Sequence, residues 1–291
     1  MPSDFETQFR EANAKINART GRPLIRAILV GLALGAALVV SLVFIKALFM
    51  VFAGALVAFT AYELASALRF AGRDVPRLPT VLATIAVVPA AFFFGAAGHW
   101  IATFIGIALI SVWRLAELVL PRGRTTPVGV LFDVGAGAFI MIYVAFMTGF
   151  VVLLTAQDGG QWWTLAFLIV VVAVDTGAYA TGVAFGRHPM APRISPKKTW
   201  EGFAGSVVAA IIAGVLLAIF MLQQPWWVGA ILGVTMVSTA TTGDLAESLI
   251  KRDLGIKDIS TWLPGHGGFL DRVDSSLLSG AAAYALFLIF V

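Results

Sequence analysis

Residues 203–222 read FAGSVVAAIIAGVLLAIFML, twenty positions without a charge or a proline. A bilayer core of about 30 Å is crossed by about 20 apolar residues in a helix, and the run lacks the alternation of a barrel strand. Only helices and closed barrels satisfy every backbone polar group in hydrocarbon, so this stretch is a membrane-spanning helix. Working outward, the same criterion predicts spans at 27–45, 47–68, 80–97, 101–120, 129–155, 162–185, 203–222, 226–250 and 268–290. The expected fold is therefore all-α: a polytopic integral membrane protein of about nine transmembrane helices. A polar tail covers 1–26, five helices cover 27–155, and four helices with the longest polar loops cover 156–291.

The composition agrees. Of 291 residues, 59% are hydrophobic and 12% charged, with a mean hydropathy of +0.92; a water-facing surface of this size carries roughly twice that charge. There are no cysteines, which excludes disulfides, iron–sulfur clusters, thiolate zinc and a cysteine nucleophile. The net charge of +4 is explained by topology. A cytoplasmic N-terminus places all of the 20 Lys and Arg inside except Lys46, as the positive-inside rule requires. No basic cluster is interleaved with stacking aromatics, so nucleic acid is not an expected partner. The polar 1–26 segment, followed by an apolar run too long for a signal-peptide core, suggests no cleaved leader. The two longest loops, 186–202 and 251–267, lie on the cytoplasmic side, and chemistry is expected there.

Four constellations carry candidate chemistry. Asp244, Glu247, Ser248 and Lys251 fall at i, i+3, i+4 and i+7, one face of the eighth span. Asp244 then lies roughly 10 Å below Lys251, and a charge inside the membrane marks a polar cavity or an internal ion pair. The second, Pro264-Gly265-His266-Gly267-Gly268-Phe269-Leu270-Asp271-Arg272-Val273-Asp274-Ser275, enters the last span. Its glycines and helix start suit a phosphate cradle or a plain hinge, and Asp271, Asp274 and Ser275 share a face that could meet Asp244. Paired carboxylates beside a phosphate site suit Mg²⁺. The third, Arg193-Ile194-Ser195-Pro196-Lys197-Lys198-Thr199-Trp200-Glu201-Gly202, reads as a polyphosphate grip or as lipid-headgroup anchors. The fourth pairs Asp175 with Tyr179 one turn later, as a site or a buried hydrogen bond. Glu63 and Asp133 are further acids in apolar context, taken as structural or cavity-lining. Nucleotide loops of the GxxxxGK[ST] or GxGxxG type, HExxH and GxSxG are absent, and His99, His188 and His266 are scattered.

The run Ser248-x-x-Lys251-Arg252, then Lys257-Asp258, then His266-Gly267-Gly268-x-x-Asp271-Arg272-x-Asp274-Ser275, resembles the signature of the CDP-diacylglycerol synthase, or phosphatidate cytidylyltransferase, family. Ser195-Pro196-Lys197-Lys198-Thr199-x-Glu201-Gly202 and Asp175-x-Gly177-Ala178-Tyr179 resemble it too; the N-terminal 150 residues agree in hydropathy and size only. The resemblance implies transfer of CMP from CTP to phosphatidic acid in phospholipid biosynthesis, by a homodimer in the cell inner (plasma) membrane with its active site facing the cytoplasm. It implies Mg²⁺, with a second cation accommodated, on Asp244 and Asp271. Ser248, Lys251 and Asp274 complete the expected catalytic group. Lys197, Lys198, Thr199, Glu201, Arg272, His266, Gly267, Gly268, Asp175 and Tyr179 are the expected substrate-binding residues. The competing readings are a CTP-dependent transferase for another lipid phosphate or alcohol, a cation-coupled transporter using Asp175, Asp244 and Glu247, and a silent membrane scaffold.

Overall fold

In the computed structural model, residues 24–119, 126–260, 262 and 267–291 are described. Eight helices follow in order: α1 Leu24–Phe44, α2 Lys46–Phe70, α3 Arg77–Val119, α4 Pro127–Ala156, α5 Gly160–Phe185, α6 Trp200–Phe220, α7 Trp226–Asp253 and α8 Leu270–Phe290. Strands β1 (Pro189–Ala191) and β2 (Ser195–Thr199) form an antiparallel hairpin between α5 and α6, with Pro189 opposite Thr199 and Ala191 opposite Ser195. That hairpin is an addition to the helical architecture expected from the sequence.

Seven helices among the described residues, α2 to α8, are long and apolar enough to cross a membrane, against about nine expected. Two places account for the difference. Helix α1, 21 residues long, occupies the span expected at 27–45 and stands outside those seven. In α3, the two spans expected at 80–97 and 101–120 form one 43-residue stretch that folds on itself at Gly95 (φ 61°, ψ −150°). A side chain rarely adopts that backbone, which is why the turn falls on a glycine. Ala83 and Ile110 consequently share one buried cluster, although a straight helix would separate them by about 40 Å.

Two larger clusters make up the rest of the apolar interior. Leu42, Phe49, Leu64, Val144 and Leu153 pack with Leu270 and Leu277; Trp163, Phe167, Leu232 and Met236 pack with Ala283 and Phe287. Helix α8 belongs to both and joins the earlier helices to α5–α7. Inside a bilayer such contacts work through close packing and interhelical hydrogen bonds rather than hydrophobic burial. Thr155 Oγ1 meets Thr164 Oγ1 at 3.0 Å, and Thr239 Oγ1 meets Ser279 Oγ at 2.9 Å. Lys46, the one basic residue assigned to the outer side, donates to the carbonyl of Gln157 at 2.6 Å, where the last carbonyls of α4 welcome a cation.

Helix α4 contains a wide π turn over Met141–Phe146. His99 Nε2 lies 3.0 Å from the Phe146 carbonyl, and its ring stacks on Phe146. Beyond it in α3, Arg114 is buried and donates to Asp133 of α4 at 2.6 Å and to Glu117. The other Asp133 oxygen accepts the Asp74 amide at 2.9 Å, so this acid ties α3, α4 and the α2–α3 loop together. Removing it takes away the buried partner of a buried guanidinium and leaves only half-exposed Glu117, a change that costs up to about 3–5 kcal/mol. Asp133→Leu should lower the unfolding free energy in mixed micelles by that order. Glu117→Gln, at a half-exposed carboxylate, should change it by less than about 1 kcal/mol.

Candidate active site

The site begins with a close approach of two backbones. A β-carbon on Gly243 would stand 2.5 Å from the carbonyl oxygen of Asp274, so any other residue there would push α7 and α8 apart. The contact brings the acidic face of α7 onto that of α8. One carboxylate oxygen from each of Asp244, Glu247 and Asp274 lies within 4.8 Å of the others.

Cations surround these acids. Lys198 Nζ is 2.5 Å from Asp244, and Lys251 Nζ is 2.5 Å from Glu247 and 2.9 Å from Asp271. The Glu247 side chain is 1% exposed, and its Oε1 has no hydrogen-bond partner among the described residues. Asp274 Oδ1 accepts the Ser275 amide at 2.6 Å. Ser248 reaches Asp244 only at 3.5 Å, the outer limit of a hydrogen bond.

The β1–β2 hairpin delivers the lysines. Thr199 caps α6 by accepting the Gly202 amide at 3.1 Å. Glu201 turns back to accept the amides of Arg187 and His188 at 3.1 and 3.2 Å and meets His188 Nδ1 at 2.5 Å. Arg252 Nε donates to the Ile194 carbonyl at 3.3 Å. With its root and tip held, the hairpin projects Lys197 and Lys198 over a cavity of about 480 Å³. Its walls include Asp175, Ala178, Tyr179, Thr199, Phe203, Asp244, Glu247, Lys251, Asp258, Asp271, Arg272, Asp274 and Ser275. The floor reaches Val174 and Ala240, more than two turns inside α5 and α7. Such a volume suits a nucleotide or a lipid headgroup.

Most of the expected site residues meet here, with instructive exceptions. Asp271, expected on the metal, is not among the three clustered acids: one oxygen holds Lys251, and the other accepts the Gly268 amide at 2.7 Å. Glu201, expected to bind substrate, holds the hairpin root through Arg187 and His188. The phosphate cradle expected at Gly267 and Gly268 is already filled by carboxylates. Besides Gly268, the amides of Phe269 and Leu270 at the start of α8 donate to Glu63 at 2.7 and 3.1 Å. Gly267 has φ +82°, which serves the turn; His266 lies outside the described residues. Asp175 and Tyr179 line the cavity without a mutual hydrogen bond in the structure, and Tyr179 is 75% exposed.

Two further residues take part: one had no role from the sequence, and the other was read there as structural or cavity-lining. Asp258 lines the cavity and lay within a quoted motif. Glu63, 2% exposed in α2, anchors the α8 start and accepts the Ser260 hydroxyl; its one signal was a carboxylate in an apolar span.

A cluster of acids able to hold a metal ion, ringed by lysines at the edge of a helical membrane bundle, is built to bring polyanions together. The model of the cytidylyltransferase family matches residues 25–290. The chain belongs to the cytidylyltransferase family. A Mycobacterium bovis protein named phosphatidate cytidylyltransferase is 40% identical over 281 residues, covering 94% of this chain and 92% of its own. The Mycobacterium leprae protein of that name is 37% identical over 282 residues, covering 94% and 90%. A Brucella suis protein of the same name is 36% identical over 185 residues, covering 63% and 62%. As a cytidylyltransferase, the protein is a nucleotidyltransferase of the membrane, and the cavity is its candidate active site.

Glu63→Ala should release the α8 amides. A lost helix cap costs about 1 kcal/mol, so exchange of the Phe269 and Leu270 amides should quicken by up to tenfold in hydrogen–deuterium exchange of the full chain. Unchanged exchange would remove Glu63 from the site.

Proposed function

We propose that the protein is a phosphatidate cytidylyltransferase, moving CMP from CTP to phosphatidic acid to give CDP-diacylglycerol and pyrophosphate. One observation carries the reading: three carboxylates within 4.8 Å of one another face Lys197, Lys198, Lys251 and Arg272 across a single cavity that enters the membrane. The names of the relatives supply the acceptor lipid.

The donor set fits Mg²⁺. It consists of hard oxygens, one of them the partnerless, buried Oε1 of Glu247, and leaves room for water and phosphate as further ligands. Asp244, Glu247 and Asp274 would hold the ion, and a bound Mg²⁺ neutralises phosphate oxygens as charge moves onto the leaving pyrophosphate. We assign Asp271 to the lysine rather than to the metal: with Glu247 it fixes the Lys251 ammonium between two carboxylates. Lys197, Lys198 and Arg272 hold phosphates as fixed charges, and Lys198 exchanges its Asp244 partner for a nucleotide oxygen. Thr199, Tyr179 and Asp175 border the ligand, while Ser248 supports Asp244.

The nucleophile is a phosphate oxygen of the lipid, largely dianionic at neutral pH because its second pKa is about 6. It bonds to the α-phosphorus of CTP as the bond to the bridging oxygen of pyrophosphate breaks. No strong general base is needed; the work is in-line positioning and charge neutralisation. Acyl chains remain among the helices. The distribution of Lys and Arg supports a cytoplasmic mouth in the inner (plasma) membrane, and the helices over 27–155 act as a frame for the catalytic 156–291 half.

Purified protein should release pyrophosphate only when phosphatidate, CTP and Mg²⁺ are present together. Asp244→Asn and Asp274→Asn should each lower the rate by at least about a hundredfold. Release with an isoprenoid phosphate but not phosphatidate would overturn the acceptor, and full activity in both variants would overturn the site.

A further inference from the structure

Two buried polar atoms near the acid cluster have no hydrogen-bond partner among the described residues: Oε1 of Glu247 and the hydroxyl of Tyr143. One is an acceptor, the other a donor. Tyr143 stands on the π turn of α4, is 8% exposed, and stacks on Phe139 with ring centroids 5.3 Å apart. Turns of this kind are rare inside helices and concentrate at functional sites.

Its surroundings place it at the level of the acids. Tyr143 shares a buried cluster with Leu270 and Leu277 of α8, and Val273 and Ile250 pack against that cluster. Val273 precedes Asp274, Leu277 follows it by one turn, and Ile250 is one turn beyond Glu247. Asp274, Glu247 and Asp244, the same three residues whose oxygens cluster, are the acids whose charge reaches the buried Tyr143 hydroxyl. Lys198 and Lys251 approach these acids from the cavity; Tyr143 comes from α4 and is not part of the cavity wall. Stacking and packing ask only for a phenyl ring, and burying a partnerless hydroxyl is unfavourable. The oxygen therefore has a task outside packing.

We propose that Tyr143 is a positioning residue for the cation site, its hydroxyl donating through one water to the Asp274 and Glu247 carboxylates from the α4 side. The inference rests on the reading that a divalent cation occupies the cluster. Donors behind ligand carboxylates set the direction of their lone pairs, and losing one typically weakens metal affinity 10–100-fold.

The test is a titration of the full-length protein in detergent with Mn²⁺ alone, following free Mn²⁺ by electron paramagnetic resonance. The native chain, Tyr143→Phe and Asp274→Asn are compared, each with its thermal unfolding midpoint. The expected result is loss of the site in Asp274→Asn and about tenfold or greater weakening in Tyr143→Phe, whose unfolding midpoint stays in place because the ring remains. Native affinity in Tyr143→Phe, with Asp274→Asn defective, would overturn the role of Tyr143 and leave the cation site standing. Weakening that comes with a fallen midpoint would make Tyr143 a packing residue and overturn the inference as well. Absence of Mn²⁺ binding by the native chain would overturn the cation site itself, and this inference with it.

Discussion

Charge inside a bilayer is costly, at least a few kcal/mol for each uncompensated group at the helix centre, and this molecule sets six carboxylates around one cavity that dips between its helices. The constraint is met by pairing: Lys198 on Asp244, and Lys251 between Glu247 and Asp271. A second set of partners is backbone amide, with Gly268 on Asp271 and Ser275 on Asp274. The buried Oε1 of Glu247, without a hydrogen-bond partner among the described residues, is a further acceptor for a cation. The same architecture that makes the site tolerable without ligand makes it receptive to a cation and to phosphates.

Two backbone features and two distant side chains hold that arrangement. Gly243 lets α7 touch α8 at Asp274, which converts two separately periodic acidic faces into one cluster. The hairpin between α5 and α6 is clamped by Glu201 at its root and by Arg252 at its tip, so its lysines are presented rather than mobile. Glu63 takes the amides that open α8, acting as an internal anion where a phosphate was expected. Because those amides are spent, our proposed site leaves phosphate recognition to side-chain cations, in keeping with the Lys and Arg on the cavity wall. The frame of earlier helices is thus joined to the chemistry through α2 and, by our inference, through α4.

Much of this could be read from sequence because the relevant signals are local. A twenty-residue apolar run decides the membrane environment, and the spacing Asp244, Glu247, Ser248, Lys251 puts four groups on one face whatever surrounds them. Long-range pairings leave no such trace. Glu63 meets amides more than 200 positions later, and nothing adjacent to it announces the partner. Asp271 and Asp274 look equivalent as letters; their division into a lysine holder and a cluster member depends on where Lys251 and the Gly268 amide fall. The fold of α3 at Gly95 rather than near residues 98–100, and the π turn that presents Tyr143, are backbone events inside uniformly apolar sequence, where hydropathy gives no boundary.

The central claim is that Asp244, Glu247 and Asp274 together hold the catalytic cation. Anomalous diffraction from crystals grown with Mn²⁺ and CTP tests it most directly. The account predicts a single strong peak within coordination distance of all three carboxylates and of a nucleotide phosphate, with Asp271 still on Lys251. A peak centred on Asp271, or a cavity that binds CTP without any peak at the three acids, would contradict it.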